Sequence, residues 1–135
     1  MTPVLRAGVH AAMVGDALVR YLESGDADLS IQETSRLFAQ IHASMTDSVI
    51  QAWQLKRDVG YWRPIEAVAG AGLDDNPDTT PQAGWAPLLT TPPYSDYVSG
   101  HASLTGPAVE VIRHTLGETT PLELISVNSP IHRTY

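Results

Sequence analysis

Apolar residues recur every third or fourth position in three stretches of the chain, which predicts three amphipathic helices. The first stretch runs from Pro3 to Glu23, and Gly25 follows it as a stop signal. We expect a helix of about six turns here, because each turn takes 3.6 residues. Its predicted inner stripe consists of Leu5, Val9, Met13, Ala17 and Tyr21.

The second stretch has the most regular pattern in the sequence. Ser30 and Glu33 form a Ser-x-x-Glu capping box, which marks the start of a helix. Gly60 weakens the pattern and Pro64 restricts the residue before it, so the helix is expected to end at Arg57 or shortly after. Its inner face is predicted to contain Leu37, Ile41, Met45, Val49 and Trp53, widened by Phe38 and Ile50.

A long loop and one further helix are predicted in the rest of the chain. Glycine, proline and acidic residues replace the apolar pattern from Gly70 to Pro93, which predicts a loop. A third helix is expected from about His101 to Leu116, with Pro107 inside it and Gly117 closing it. Its predicted inner positions are Leu104, Ala108, Val111, Ile112 and Thr115. The three helices predict an all-α architecture, part of a helical bundle, in one domain of 135 residues.

Composition narrows the range of partners. The chain carries 15 acidic and 8 basic residues, a net charge of −7, which argues against nucleic acid or an anionic membrane as a general partner. A small anion remains a possible partner wherever basic residues are gathered locally. No apolar run approaches the ~20 residues of a membrane span, and residues 1–10 lack the features of a signal peptide. The absence of cysteine excludes thiolate chemistry within this sequence and leaves the compartment unknown.

Two short stretches carry groups suited to holding an oxyanion. Lys56 and Arg63 are seven residues apart, about two helical turns, so both side chains can project from one face. Lysine supplies a mobile point charge, and arginine supplies a rigid fork of donors. Ser99 and Gly100 offer a hydroxyl and an unobstructed amide at a helix start, and His101 adds a proton-exchanging group. Each stretch alone is more often a solvated helix face or a helix cap, whereas the combination is more specific.

The order and spacing of these residues resemble a signature shared by the vanadium haloperoxidases and the phosphatidic-acid-phosphatase-type acid phosphatases. Its first part, Lys, six residues, then Arg-Pro, is matched by Lys56 and Arg63-Pro64. Its second part, Pro-Ser-Gly-His, reads Val98-Ser99-Gly100-His101 here, without the proline. The flanking Thr91-Pro92-Pro93-Tyr94 resembles the bacterial haloperoxidase-like branch. The resemblance extends roughly from Ser35 to Glu118, and more loosely over the tail to Tyr135.

The third part of that signature, Ser-Arg followed about five residues later by His, has no counterpart in this sequence. In the family this His bonds to vanadium or attacks phosphorus, and the Arg is a further clamp on the oxyanion. Ser129, His132 and Arg133 do not have the order or spacing of that motif. The resemblance therefore predicts a truncated chain without a vanadium-bonding residue, and whether it is an active enzyme stays uncertain at this point.

The resemblance implies a role for each matched residue. Lys56 and Arg63 would hold an oxyanion through charge-assisted hydrogen bonds, and Ser99 and the Gly100 amide would bind its remaining oxygens. His101 would be the catalytic acid–base group, and Lys56 would polarise a peroxide oxygen toward halide attack. In a haloperoxidase the anion is vanadate, and the further partners are hydrogen peroxide and halide. In a phosphatase the anion is phosphate, and no cofactor is needed.

Three functions remain open on the sequence. The first is vanadate-dependent oxidation of halide by hydrogen peroxide, and the second is a metal-independent acid phosphatase. The third is a non-catalytic remnant that binds phosphate or packs as a subunit. Tyr94 stands seven residues before His101, where haloperoxidases place a residue near the halide, and this favours the first function, although loop packing is the plainer explanation. Apolar helix faces left uncovered in an incomplete bundle would favour a homo-oligomer.

Overall fold

The computed structural model describes residues 3–125 and 132–134. These residues form helices α1 (Pro3–Glu23), α2 (Ile31–Val59), α3 (Pro64–Ala69) and α4 (Gly100–Leu116), followed by strands β1 (Glu123–Ile125) and β2 (His132–Thr134). The strands pair antiparallel, with Leu124 opposite Arg133. The predominance of helix confirms the predicted all-α class. Among the described helices, none combines the length and the apolar character that crossing a bilayer requires.

The ends of α2 follow from its local sequence. The Ser30 hydroxyl accepts a hydrogen bond from the Glu33 amide at 3.3 Å, and the Glu33 carboxylate accepts one from the Ser30 amide at 2.9 Å. The predicted capping box is therefore formed, and hydrogen bonds from Ser30 lower the pKa of Glu33. At the other end Gly60 has a φ of 60°, a left-handed conformation that glycine adopts without strain. The helix accordingly stops two residues beyond Arg57, as predicted.

Internal contacts divide the chain into two compact units. One unit comprises Met1–Gln51 and Gly100–Tyr135, and the other comprises Ala52–Ser99. Helices α1 and α4 and the larger part of α2 belong to the first unit, which we call the helical unit. The end of α2, α3 and the long loop belong to the second, which we call the loop unit. The assignment of the whole chain to a single domain stays a prediction.

An apolar core holds the helical unit together. Helix α1 packs against α4 and against β1, and all three predicted helices contribute to the core. Each side chain of this core is at most 7% exposed. The core consists of Val14, Leu18, Leu37, Ile41, Met45, Leu104, Ala108 and Ile112. Burial of a large aliphatic side chain contributes about 1.5–3 kcal/mol, so this cluster is the main source of stability in the unit.

The predicted inner face of α1 is confirmed at Ala17, which is 2% exposed, but the face also includes residues one position further along the chain. Met13 was expected inside and is only partly buried, whereas Val14 is 7% and Leu18 0% exposed. Residues four apart do not stay on one side of a helix that has 3.6 residues per turn. Their spacing alone therefore does not determine which side of the helix is buried. The burial of the predicted Leu5 and Val9 lies outside the described residues.

The inner faces of α2 and α4 are confirmed at their centres and wrong near their C-terminal ends. Ile50 is 53% and Trp53 41% exposed, because α2 leaves the apolar core of the helical unit at about this point. Thr115 was predicted inside and is exposed, and its hydroxyl donates to the Val111 carbonyl at 2.9 Å. Leu116 packs against the core instead.

The loop unit contains a short helix that the sequence did not predict separately. Pro64 was expected to act only as a boundary, and it is also the first residue of α3. The Arg63 amide donates to the Glu66 carboxylate at 2.9 Å, which caps this helix. A 3₁₀ turn, Ala71–Leu73, follows, and the predicted loop then continues without helix or strand to α4. The chain reaches α4 through a segment that runs directly past the end of α2.

Candidate anion-binding site

Lys56 is the one charged side chain among the described residues that is buried, with 5% of its surface exposed. Its Nζ atom donates hydrogen bonds to the main-chain oxygens of Ser95 at 2.9 Å and Asp96 at 3.0 Å. In return, the Ser95 hydroxyl donates to the Lys56 carbonyl at 2.7 Å. These reciprocal bonds fix the loop segment 94–96 against the last turns of α2.

Arg63 lies just before α3 and points at the same loop segment. Its Nε donates to the Tyr94 carbonyl at 2.8 Å, and its Nη2 donates to the Ser95 carbonyl at 3.2 Å. Its Nη1 lies 2.9 Å from the carboxylate of Asp96. The rigid guanidinium fork therefore contacts oxygens of three successive residues. Both cations that the sequence singled out meet at one place in the loop unit.

Two aromatic rings border the cationic groups. The centroid of the Tyr94 ring lies 5.0 Å from Lys56 Nζ and 4.9 Å from Arg63 Cζ. The Trp53 ring lies 5.6 Å from the Tyr94 ring and 6.0 Å from Lys56 Nζ. Ring faces attract cations, so the two rings stabilise the charges while keeping them out of bulk water. In the structure, the rings of Trp53 and Tyr94 therefore both lie beside Lys56.

The surroundings of Lys56 favour a nearby negative charge. Burial lowers the pKa of Lys56 below its usual 10.5, and the charge of Arg63 lowers it further, whereas the charge of Asp96 raises it. A buried ammonium beside a guanidinium is destabilised by lost hydration and by like-charge repulsion. An anion placed against both groups would relieve both effects.

Lys56 and Arg63 are donors of the type that binds tetrahedral oxyanions such as vanadate and phosphate, and in this structure main-chain oxygens and Asp96 accept from them. An ammonium and a guanidinium offer N–H donors only, and each of the contacts described above for them ends on an oxygen or on a ring face. Asp96 is itself an oxyanion held by Arg63, which shows the chemistry that this guanidinium is placed to recognise. Vanadate is thus compatible with the residues present.

Of the five predicted site residues, the structure brings Lys56 and Arg63 together. Ser99 is the final residue of the loop unit, directly before α4. Gly100 and His101 form the start of α4 and belong to the helical unit. The grouping of these three residues with the two cations stays a prediction, as does the role assigned to each of the five.

Sequence reasoning missed the segment that the two cations contact. Ser95 and Asp96 were not assigned any role, although both lie in the proline-rich loop between the two motifs. No spacing rule links Asp96 to Arg63, because the two residues are far apart along the chain and meet only in the folded state. One feature of the sequence could have indicated a role for Asp96. It is the acidic residue of Tyr94-Ser95-Asp96-Tyr97, in an otherwise uncharged stretch.

A cleft of about 290 Å³ adjoins Arg63 within the loop unit. Its size suits a small molecule, and its walls combine aromatic rings and prolines with a few polar groups. It is lined by Gly60, Tyr61, Trp62, Arg63, Glu66, Thr91, Pro92, Pro93, Tyr94 and Ser95. A larger groove of about 490 Å³ lies between α2 and α4 in the helical unit, but none of the predicted site residues lines it. Of these two cavities, the cleft in the loop unit is the one that a predicted site residue, Arg63, lines.

The part of the sequence that contains these residues is similar to known proteins. Residues 36–132 match the family described as the VCPO second helical-bundle domain. The vanadium chloroperoxidase of Curvularia inaequalis is 30% identical over 94 residues, which are 65% of this chain and 15% of that enzyme. The chain thus spans only a small part of the length of this relative. No solved structure matches the chain. Because the family match covers more than half of the sequence, this chain belongs to the family of the VCPO second helical-bundle domain.

Proposed function

We propose that this chain provides the oxyanion-binding part of a vanadate-dependent haloperoxidase, an enzyme that oxidises halide with hydrogen peroxide. The observation that carries the proposal is the convergence of buried Lys56 and Arg63 on one loop segment. Both residues lie within the region that matches the family, and the relative with 30% identity is named a vanadium chloroperoxidase.

Lys56 and Arg63 would hold the anion by charge-assisted hydrogen bonds, which are about twice as strong as neutral ones. Vanadate, when bound, would supply the chemistry that activates hydrogen peroxide. Lys56 contributes a fixed positive charge in a place that is largely closed to water, where it acts more strongly than in solution. Arg63 contributes orientation, because its planar fork donates hydrogen bonds to oxygens only in a limited set of directions.

His101 is our candidate for the group that exchanges protons during the reaction. It lies in the first turn of α4, directly after Ser99 and Gly100, and its side chain is exposed. Histidine changes its charge near neutral pH, which suits a general acid–base group. The support for this role is the Ser-Gly-His sequence itself together with the family match.

A metal-independent acid phosphatase is the second candidate function. The observation that favours it is the donor set, because an ammonium and a guanidinium bind the oxygens of phosphate and of vanadate in the same way. In that case Lys56 and Arg63 would stabilise the charge that develops on a transferring phosphoryl group.

The first experiment is equilibrium dialysis of vanadate against the 135-residue chain. We expect saturable binding that falls at least about tenfold in Arg63→Ala, because one charged hydrogen-bonding partner is worth about 1.5–3 kcal/mol. Arg57→Ala is the matched control, since Arg57 is an exposed arginine on the same helix as Lys56 and pairs with Asp58. Equal loss in both variants, or no binding by folded wild-type protein, would contradict the proposed anion site.

A second experiment separates the two enzyme classes by the sign of the vanadate effect. Vanadate should raise peroxide-dependent bromination of a dye if the chain is a haloperoxidase. It should inhibit hydrolysis of a phosphate ester if the chain is a phosphatase, because it then competes with the substrate for Lys56 and Arg63. Binding without either activity would leave the non-catalytic, anion-binding function.

A further inference from the structure

Asp96 occupies the position at which Arg63 would meet an external anion. Its carboxylate lies 2.9 Å from Arg63 Nη1, while the other nitrogens of the guanidinium donate to the carbonyls of Tyr94 and Ser95. The Arg63 side chain is 17% exposed and that of Asp96 is 48% exposed. The ion pair therefore stands on the solvent side of the cationic cluster, where an anion would arrive.

We propose that Asp96 is a built-in counter-ion that competes with the external oxyanion for Arg63 and thereby sets how tightly the site binds it. This inference rests on the proposed anion-binding function. It assigns a role to a side chain that neither of the two signature motifs contains.

The competition follows from the geometry of the pair. An anion that takes the N–H group of Arg63 Nη1 now facing Asp96 must displace the carboxylate, since one N–H group cannot donate fully to two acceptors. If the carboxylate stays nearby, its charge repels the arriving anion. The apparent affinity is therefore the affinity of the open site multiplied by the fraction of molecules in which the Arg63–Asp96 pair is open.

The pair is weak enough to be opened by a ligand. Nearly half of the Asp96 side chain is exposed, so its carboxylate can turn into water without losing hydration. Partly exposed ion pairs contribute little to stability, so a doubly charged anion held by both Lys56 and Arg63 can open this one.

The carboxylate of Asp96 is separable from the structural role of this residue. Its main-chain oxygen accepts the Lys56 hydrogen bond, and its main-chain amide donates to the Tyr61 carbonyl at 3.0 Å. Both contacts use main-chain atoms and therefore do not depend on the carboxylate. A substitution at position 96 can therefore remove the negative charge without detaching the loop from α2.

The charges around Lys56 also support a role for Asp96 as a counter-ion. Asp96 is the group whose charge raises the pKa of Lys56 against the opposing effects of burial and of Arg63. Without the carboxylate, Lys56 loses the negative charge that opposes the effects of burial and of Arg63. An added anion then gains more by binding.

The test compares wild type, Asp96→Asn and the control Asp58→Asn for binding of inorganic phosphate and of vanadate by equilibrium dialysis. Asparagine keeps the shape of the side chain and an oxygen that can accept from Arg63. We expect Asp96→Asn to bind both anions about five-fold more tightly, as loss of a competing ion pair of ordinary strength allows. Asp58→Asn also breaks an Arg–Asp pair and changes the net charge equally, but at exposed Arg57, and we expect no change.

The possible outcomes separate this inference from the proposed function. Unchanged or weaker binding by Asp96→Asn, with wild type still binding, overturns the inference and leaves the proposed anion site intact. Equal tightening in Asp58→Asn also overturns it, because net charge alone would then explain the gain. Absence of binding in all folded variants overturns both the inference and the proposed function.

Thermal unfolding with and without phosphate provides a second readout that a purely structural role would not produce. Asp96→Asn should unfold at a slightly lower temperature than wild type without anion, and should gain more from added phosphate. If Asp96→Asn proves unstable, Asp96→Ala gives the same comparison, because the main-chain contacts of residue 96 remain. A phosphate-induced rise no larger than that of wild type in both variants contradicts the inference.

Discussion

The two units of the chain are held together by different interactions. The helical unit has a core of aliphatic side chains contributed by α1, α2 and α4. In the loop unit, Ala52 and Lys56 are the buried side chains, and hydrogen bonds from Lys56 and Arg63 to main-chain oxygens connect its parts. Hydrogen bonds to carbonyl oxygens can be exchanged for bonds to the oxygens of an anion, whereas an aliphatic core offers an anion no donors. The contrast suggests why stability and binding are assigned to different parts of one small chain.

The largest change in stability is expected from a substitution in the apolar core of the helical unit. Leu18→Ala should lower the free energy of unfolding by about 2–5 kcal/mol, because it leaves a cavity at a side chain with no exposed surface. Urea denaturation followed by circular dichroism measures the change. Val19→Ala is the control, since Val19 is next in sequence and 40% exposed. Similar losses in both variants would show that the core of the helical unit does not dominate stability.

Lys56→Met is expected to have a smaller effect on stability and a large effect on anion binding. The substitution removes the donor to the Asp96 carbonyl and one of the two donors to the Ser95 carbonyl, and an unpaired buried polar group costs about 1–3 kcal/mol. Urea denaturation and vanadate dialysis on the same samples test both parts. Arg57→Met, one residue further along α2 and exposed, should change neither quantity by more than experimental error. If Lys56→Met is more stable than wild type, the buried Lys56 and its hydrogen bonds destabilise the folded state instead of stabilising it.

The smallest expected effect is a dependence of stability on alkaline pH. The folded state lowers the pKa of Lys56 mainly through burial, so between this lowered pKa and 10.5 the unfolded chain binds more protons at this residue. The contribution of Lys56 to stability should therefore rise with pH in that interval. The free energy of unfolding of wild type minus that of Lys56→Met, measured from pH 8 upward, isolates this group from other titrations. A difference that stays constant or falls would contradict the inferred environment of Lys56.

Much of the helical architecture was predictable from local sequence. The bounds of α1 agree with the predicted range, the capping box at Ser30 and Glu33 marks the start of α2, and Gly117 follows the end of α4. These features depend on neighbours within one helical turn, so the sequence contains them directly. The exact buried line of α1 was not predictable, because it depends on which residues of α4 and β1 face the helix.

The candidate site was predictable in its parts but not in its arrangement. Spacing and family resemblance singled out Lys56 and Arg63, and the structure places both beside Tyr94. The contact between Arg63 and Asp96 could not be derived from spacing, since a flexible, proline-rich stretch of sequence can bring its residues to many positions. Only the fold decides which of its residues the two cations meet.

The sequence by itself determined three helices, their capping residues and a pair of cations typical of an oxyanion site. It did so because helix periodicity, capping and the matched motifs are all short-range patterns. The tertiary structure decided that Lys56 is buried, that Arg63 joins it at the segment 94–96, and that Asp96 supplies the local negative charge. These facts depend on the path of a long loop, and that path is set by hydrogen bonds between residues distant in sequence.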